Sequence, residues 1–234
     1  VVRNDIVQSS TPTWPGGGTV SYVSPWTHVY ADDLVHREEA GTPNVVGDIR
    51  AALVMMVKQA LGTEWLVKRQ NELRSRALHV WQDNPFIDLM GSSTAEYNLP
   101  IFSFRVRDGA GAYIHHQYFT RLLSDMHGIQ ARGGCACAGS YAHRLLGLDQ
   151  THSTRLLAEL ESGKEIDKPG WVRLNLSALM SDDKVDEVID AVDKLSRTAA
   201  DFQKHYIADT LTAQFLPVSG QMHEDVRVAV DGSG

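Results

Sequence analysis

The chain holds only two cysteines in 234 residues, both within one stretch, ARGGCACAG at 131–139. That excludes a disulfide scaffold and makes a cytoplasmic location the expectation. No apolar run approaches the roughly 18 residues that a membrane-spanning helix needs, and the start carries no signal-peptide pattern. Positive charge is in deficit: 22 Lys and Arg face 29 Asp and Glu, for a net charge of −7. No basic face is therefore available for a nucleic-acid backbone. No internal repeat is visible. An initial methionine is missing too. The chain opens on VVRNDIV, where Val1, Val2, Ile6 and Val7 read as a strand already under way, so a fragment is expected.

What remains is an ordinary globular composition, 43% hydrophobic and 22% charged. Residues 8–18 (QSSTPTWPGGG) read as a loop and Thr19–Val23 as a strand. Residues 24–41 read as irregular. Asn44 caps a helix carrying Ile49, Leu53, Met56 and Ala60, which Gly62 ends. Thr63 opens a second helix with Trp65, Leu66, Leu73, Leu78 and Trp81 along it. Leu99–Val106 alternates as a strand, 111–127 reads as a helix, and 128–131 as a short strand. A helix follows at 153–162, a strand at 171–176, and a Ser181-capped helix over 182–197. Its Val185, Val188, Ile189, Val192 and Leu195 keep helical spacing. The alternation of strand and helix predicts an α/β fold, with an α+β arrangement in the second half. The tail after Pro217 is polar and Gly-rich and is expected to fray.

Four stretches could carry chemistry. PGGG at 15–18 exposes backbone N–H groups that suit an anion, or is a flexible turn; no G-K-[ST] follows, which excludes a P-loop. Thr42, in GTPN at 41–44, stands just before a helix N-terminus, where it could hold a phosphate or simply belong to a capping motif. Cys135 and Cys137 are too close for an unstrained disulfide. A zinc site drawing on His115, His116, His127 or His143 lacks a second cysteine pair, so no metal is expected. A reactive thiol favoured by Arg132, or two small buried cysteines in a tight turn, are the open alternatives. Arg173 lies in an apolar strand and needs a partner, either a structural acid or a substrate carboxylate. His115 and His116 fall on a helix, where packing is the commoner role.

In series, WPGGGTV, REEAGTPNVVG, GIQARGGCACAG and GWVRLNLSALMSDDKVDEVIDAV resemble the C-terminal half of fold-type I, class V aminotransferases of the cysteine desulfurase group. The resemblance covers roughly residues 1–197 and implies a dimeric enzyme using pyridoxal 5'-phosphate (PLP). It implies that Thr42 contacts the cofactor phosphate, with Gly16, Gly17 and Gly18 nearby. It implies that Arg173 binds the carboxylate of an amino-acid substrate. The R-x-G-x-x-C pattern aligns Arg132, Gly134 and Cys137, the last being the residue that attacks the substrate sulfur and carries a persulfide in desulfurases.

Two departures accompany it. The family's Schiff-base lysine stands in an S-x-H-K type block, and none of the lysines here (58, 68, 164, 168, 184, 194 and 204) lies in one. The chain alone is therefore expected to be inactive. GCACAG also replaces the histidine-containing turn of many desulfurases, which does not exclude desulfuration but leaves open a lyase, an aminotransferase or a sulfurtransferase acting on another acceptor. The resemblance implies the end of the PLP-binding large domain over 1–43, connecting helices over 44–83, a small C-terminal domain over 84–216 and a flexible tail over 217–234. A fragment of this kind would expose an apolar face, so a homodimer or association with the missing N-terminal half is expected. The alternative is a non-catalytic binding or dimerisation module derived from the fold.

Overall fold

The computed structural model describes residues 3–92, 98–134 and 139–218. Two compact units divide at residues 63 and 64. In the first, Val20–Val23 (β1) pairs antiparallel with His28–Tyr30 (β2). A short helix, Leu34–Glu38 (α1), follows, with the Asp33 carboxylate accepting from the His36 N–H. Val45–Leu61 (α2) begins at Asn44, whose side chain accepts from the Gly47 N–H, and stops at Gly62. Of the strand expected over 1–7, the described residues 3–7 hold instead a single 3₁₀ turn at Asn4–Ile6. An Arg3–Asp5 ion pair bridges that turn, and Ile6 is exposed. The segment read as irregular contains β2 and α1, both too short to produce a periodic pattern.

Helix α2 has correct caps and no interior. None of its residues is buried, and Val46 (69%), Met55 (67%), Val54 (66%) and Leu53 (55%) all stand in solvent. Its apolar residues surround the axis, with Asp48, Arg50 and Lys58 the charged exceptions. A helix that is apolar all round belongs in the interior of a larger body.

The second unit is a sheet covered on one face by helices. Ile87–Leu89 (β3), Ile101–Arg107 (β4), Trp171–Asn175 (β7) and Arg132–Gly134 (β6) lie in the order β3-β4-β7-β6, with Tyr113–Ile114 (β5) beside the end of β4. All pairings are antiparallel. Along β4, Phe102, Phe104 and Val106 are buried while Ser103, Arg105 and Arg107 are not; along β7, Val172 and Leu174 are buried and Arg173 is exposed. This period-two pattern sends the apolar set to one face and the arginines to the other.

Three helices fill the apolar face: Thr63–Trp81 (α3), His116–His127 (α4) and Asp182–Thr198 (α7). Trp81, fully buried, meets Phe102 edge-on at 4.9 Å and donates its indole N–H to the Ile189 carbonyl at 3.1 Å. Phe104 meets Phe119 edge-on at 6.0 Å, and the Tyr118 hydroxyl donates to the Ala199 carbonyl. Outside the core, Arg69 and Arg76 of α3 grip Asp182, and Arg76 also holds Asp186. Asn84, buried, donates to Asp193 and Ser196. Gly139–Leu146 (α5), Gln150–Glu161 (α6) and a small hairpin of Tyr206–Ala208 (β8) and Phe215–Pro217 (β9) complete the unit.

Helix α7 matches its sequence pattern, since Val185, Val188, Ile189, Val192 and Leu195 are all buried. On α3, Leu73, Ala77 and Trp81 form the buried stripe, whereas Trp65 is 44% exposed. The helix expected over 111–127 starts only at His116, because Tyr113–Ile114 turns back to pair with Val106 and Arg107. The strand expected over 128–131 begins at Arg132 instead. Gly128, in the left-handed conformation, and Ile129 still donate to α4 carbonyls and so belong to its C-terminal stop. The expected fraying after Pro217 concerns residues 219–234, which lie outside the described residues.

The core makes a direct prediction. Phe104→Ala should destabilise the second unit by about 3–5 kcal/mol, whereas Leu179→Ala, at a position 67% exposed, should change stability by less than about 0.5 kcal/mol. Urea unfolding followed by tryptophan fluorescence distinguishes the two.

Candidate functional site

In the first unit, the fold joins the two stretches singled out for phosphate. The Gly41 N–H donates to the Gly17 carbonyl at 2.7 Å, seating GTPN against the glycine loop. A β-carbon on Gly16 would lie 3.0 Å from the Ala40 β-carbon, so the close approach favours glycine there. Gly18 and Gly41 both take positive φ, +87° and +81°. The sequence just before GTPN holds this arrangement in place. Arg37 donates to the carbonyls of Ser9, Ala31 and Asp32, and Glu38 accepts from the Thr13 N–H.

Thr42 is exposed and sits directly ahead of α2, whose N-terminal dipole favours an anion. Its hydroxyl has no hydrogen-bond partner among the described residues, and β-carbons on Gly17, Gly18 or Gly41 would meet nothing within 4 Å. An open, glycine-lined cradle with an unengaged hydroxyl at a helix N-terminus fits the phosphate end of PLP. No such fit exists for the anchoring lysine: the only lysine of this unit, Lys58, lies in the last turn of α2.

In the second unit, β6 and β7 bring Arg132 directly opposite Arg173, and Ser103 of β4 faces Arg173 from the other side. The three form one row on the face away from the helices. Both arginines are exposed, and neither has a hydrogen bond or ion pair among the described residues. The structural acid considered as a partner for Arg173 is therefore not found among the described residues. Ser103 opens onto a cavity of about 700 Å³, shared with Arg74, Asn98 and Tyr141. Cys135 and Cys137 fall in segment 135–138, outside the described residues. Among the described residues no three His, Cys, Asp or Glu side chains come together to hold a metal ion, and no helix is long and apolar enough to cross a membrane.

The model of the aminotransferase class-V family matches residues 1–188. The chain belongs to the class V aminotransferase family. Members of this family and the cysteine desulfurases within it are PLP-dependent. The chain is 28% identical over 137 residues to cysteine desulfurases of Pectobacterium carotovorum subsp. carotovorum and Pectobacterium atrosepticum. Each match covers 58% of this chain and 31% of the relative. Its fold is similar to apo cysteine desulfurase from Thermococcus onnurineus NA1, with a TM-score of 0.62 and 22% identity, over 79% of this chain and 39% of that one. It is also similar to the cysteine desulfurase CsdA from Escherichia coli, with a TM-score of 0.55 and 22% identity, over 79% and 38%. This class V chain thus spans about a third of the length of these curated relatives. The α/β fold expected from its alternating elements is the fold it has.

Sequence reasoning missed the groups that support the arginine row. His115 caps α4: its Nδ1 accepts from the Gln117 N–H at 3.2 Å while its Nε2–H donates to the Ile166 carbonyl at 3.0 Å. Its ring stacks on that of His116 at 4.3 Å. Immediately beside them, β-carbons on Gly133 and Gly170 would strike Gln117 and His116 at 2.8 Å. β6 therefore lies against the start of α4, and the paired glycines of ARGG and the glycine before WVRLNL were the available signal.

Burial pushes both histidines below the ordinary value, with the Ile166 hydrogen bond and Asp167 partly opposing this at His115. At His116, burial and the neighbouring His115 lower the value from 6.5 to about 4. A folded-state pKa below the unfolded one gives stability that is complete above about pH 6.5 and is lost as pH falls towards 4. Unfolding free energy of the second unit should fall by up to about 3 kcal/mol between pH 7 and pH 4. Urea titrations across that range check this, and a profile without the His step would contradict it.

Proposed function

We propose that this chain contributes the phosphate-contacting loop and the carboxylate receptor of a PLP-dependent enzyme acting on an amino acid, with cysteine desulfuration the best-supported reaction. The observation that carries the reading is Arg173, a guanidinium on an exposed sheet face without a partner among the described residues, in register with Arg132. Such a group binds a carboxylate through two parallel N–H donors and fixes its orientation. PLP, when bound, supplies the electron sink for chemistry at the amino acid Cα. Thr42 would donate its hydroxyl proton to a phosphate oxygen, beside Gly16, Gly17 and Gly18. Cys137, as a thiolate, would attack the sulfur of a bound cysteine, forming the S–S bond of a persulfide as the substrate's Cβ–Sγ bond breaks and its electron pair stays on the amino-acid carbon skeleton. Arg132 would favour that thiolate electrostatically. None of the seven lysines stands in an S-x-H-K block, so anchoring the cofactor falls to residues outside this sequence and the chain alone is inactive.

In a protein carrying this sequence within a complete class V fold, Cys137→Ala should abolish sulfide release from L-cysteine while preserving the cofactor's visible absorption. Arg173→Gln should lower kcat/KM by about 10- to 100-fold. Undiminished sulfide release from the Cys137 variant would shift the nucleophile to Cys135 or discard the desulfurase reading.

Helix α2 supports an assembly role alongside this. We infer that the remainder of the family fold covers it, in a dimeric cytoplasmic enzyme, since a 17-residue apolar helix with no buried residue is incomplete by itself. Leu53→Lys with Met56→Lys should be nearly neutral in the 234-residue chain and cost about 3 kcal/mol or more within the complete fold. Denaturant titrations of both forms measure the difference, and neutrality in both would make α2 a surface helix.

A further inference from the structure

We propose that a cavity beside the start of α4 is a binding site for a small uncharged aromatic molecule bearing one hydroxyl or ring N–H, which His116 holds. This site is independent of Arg173 and of the reaction proposed above. The cavity measures about 240 Å³, and its apolar walls are Ile114, Phe119, Leu146, Leu148 and Val172. Ile114, Phe119 and Val172 belong to the core of the second unit, and Leu146 and Leu148 close the space from the end of α5. Close-packed interiors hold few voids larger than a water molecule. An apolar cavity of about 150 Å³ accommodates benzene, so this one has room for a substituted ring.

The two stacked histidines differ in one respect. Both ring nitrogens of His115 are engaged, by the Gln117 N–H and the Ile166 carbonyl. His116 is only 9% exposed, lines the cavity, and makes no hydrogen bond through its ring among the described residues. A β-carbon on Gly170 would stand 2.8 Å from the His116 Cε1. Cε1 lies between the two ring nitrogens, so the ring edge that carries them faces Gly170, itself a wall of the cavity. At pH 7 the ring is neutral, since burial and the adjacent His115 lower its pKa to about 4. A neutral imidazole offers one donor and one acceptor, and a buried polar group left without a partner is costly. A hydroxyl or a ring N–H supplies that partner while the rest of the ligand covers the apolar walls.

The cover of the cavity is tied down on both sides. His143 of α5 donates its Nδ1–H to the Gly139 carbonyl at 2.9 Å, and its Nε2 accepts from the Ser153 hydroxyl of α6 at 3.1 Å. The Leu148 N–H donates to the His143 carbonyl at 2.9 Å, and the Ile166 N–H to the Thr210 carbonyl at 3.2 Å. Walls fixed in this way reduce the ordering cost of binding. The cations at the cavity already have partners: Arg105 reaches Asp88 at 3.0 Å and Lys168 reaches Glu165 at 3.1 Å. Asp167, also at the cavity, repels an anion. The site therefore asks for one hydrogen-bonding group and no charge. A single water, whose share of liquid volume is about 30 Å³, fills a small part of it.

The test uses the 234-residue chain at pH 7 and needs no cofactor. Phenol, toluene and benzoate are titrated by calorimetry, and the histidine ring nitrogens are followed by NMR. Phenol should bind at least about tenfold more tightly than toluene or benzoate, and should shift the His116 nitrogens while leaving those of His143 in place. His116→Phe, which keeps a ring without its polar atoms, should bring phenol and toluene to equal affinity. Leu148→Trp, at a partly exposed wall position, should fill the space and abolish the binding of both. The shift of the His116 nitrogens in the unsubstituted chain decides the matter even where a variant fails to fold. No phenol binding, tighter binding of benzoate, or binding without a His116 response would overturn the proposal. So would a phenol preference that survives His116→Phe, or phenol binding unchanged by Leu148→Trp. None of these outcomes bears on Arg173, whose own substitution tests the carboxylate receptor.

Discussion

The alternation of side chains along β4 and β7 governs the second unit. Phe102, Phe104 and Val106 on one strand and Val172 and Leu174 on the other must leave water together, and α3, α4 and α7 supply the surface that covers them. Because a strand presents successive residues to opposite faces, this burial forces Ser103, Arg105, Arg107 and Arg173 to the other side. The arginine face is thus a geometric consequence of the core. A slip of one residue would bury the guanidinium groups and expose the phenylalanines, which no local interaction could offset. Core packing therefore sets the register that places Arg132 opposite Arg173.

The first unit depends on a different constraint, the contact between two loops. Gly41 bonds to Gly17, Arg37 and Glu38 fix the chain leading into that contact, and Gly16 is small enough to allow it. What results is a cradle of backbone with Thr42 at its edge and a helix N-terminus behind it. The helix itself buries nothing, which distinguishes this unit from the second. Its local structure is well specified by caps at Asn44 and Gly62, while none of its residues has the burial that normally stabilises such a helix.

The two arginine populations of the sheet show how one residue type serves two ends. Arg105 and Arg107 share the Asp88 carboxylate and lie over the Tyr113 ring, an arrangement that orders the end of β4. Arg132 and Arg173 have no counter-charge among the described residues, on strands braced by the His115, His116 and Gln117 turn. Like charges in register are a local conflict, and such conflicts concentrate at functional sites.

Much of the local structure was legible in the amino-acid order. The spacing from Val185 to Leu195 specified α7 and its buried face, the alternation around Phe102 and Val172 specified two strands, and Asn44 and Ser181 specified helix starts, because each signal is contained within a few residues. The family motifs likewise singled out Thr42, Arg132 and Arg173 one by one as candidates. Elements of two to five residues, such as β2, β5 and α1, were illegible because they are too short for a period to show. Burial on α2 was illegible for another reason: periodicity reports which residues are apolar, and whether they are covered depends on what lies beside them. Sequence by itself therefore determined the elements, their caps and the chemical character of the site residues. Only the tertiary structure decided that Arg132 stands opposite Arg173 and that Gly41 meets Gly17, because strand register and loop contact are set by non-local packing between segments far apart in the chain.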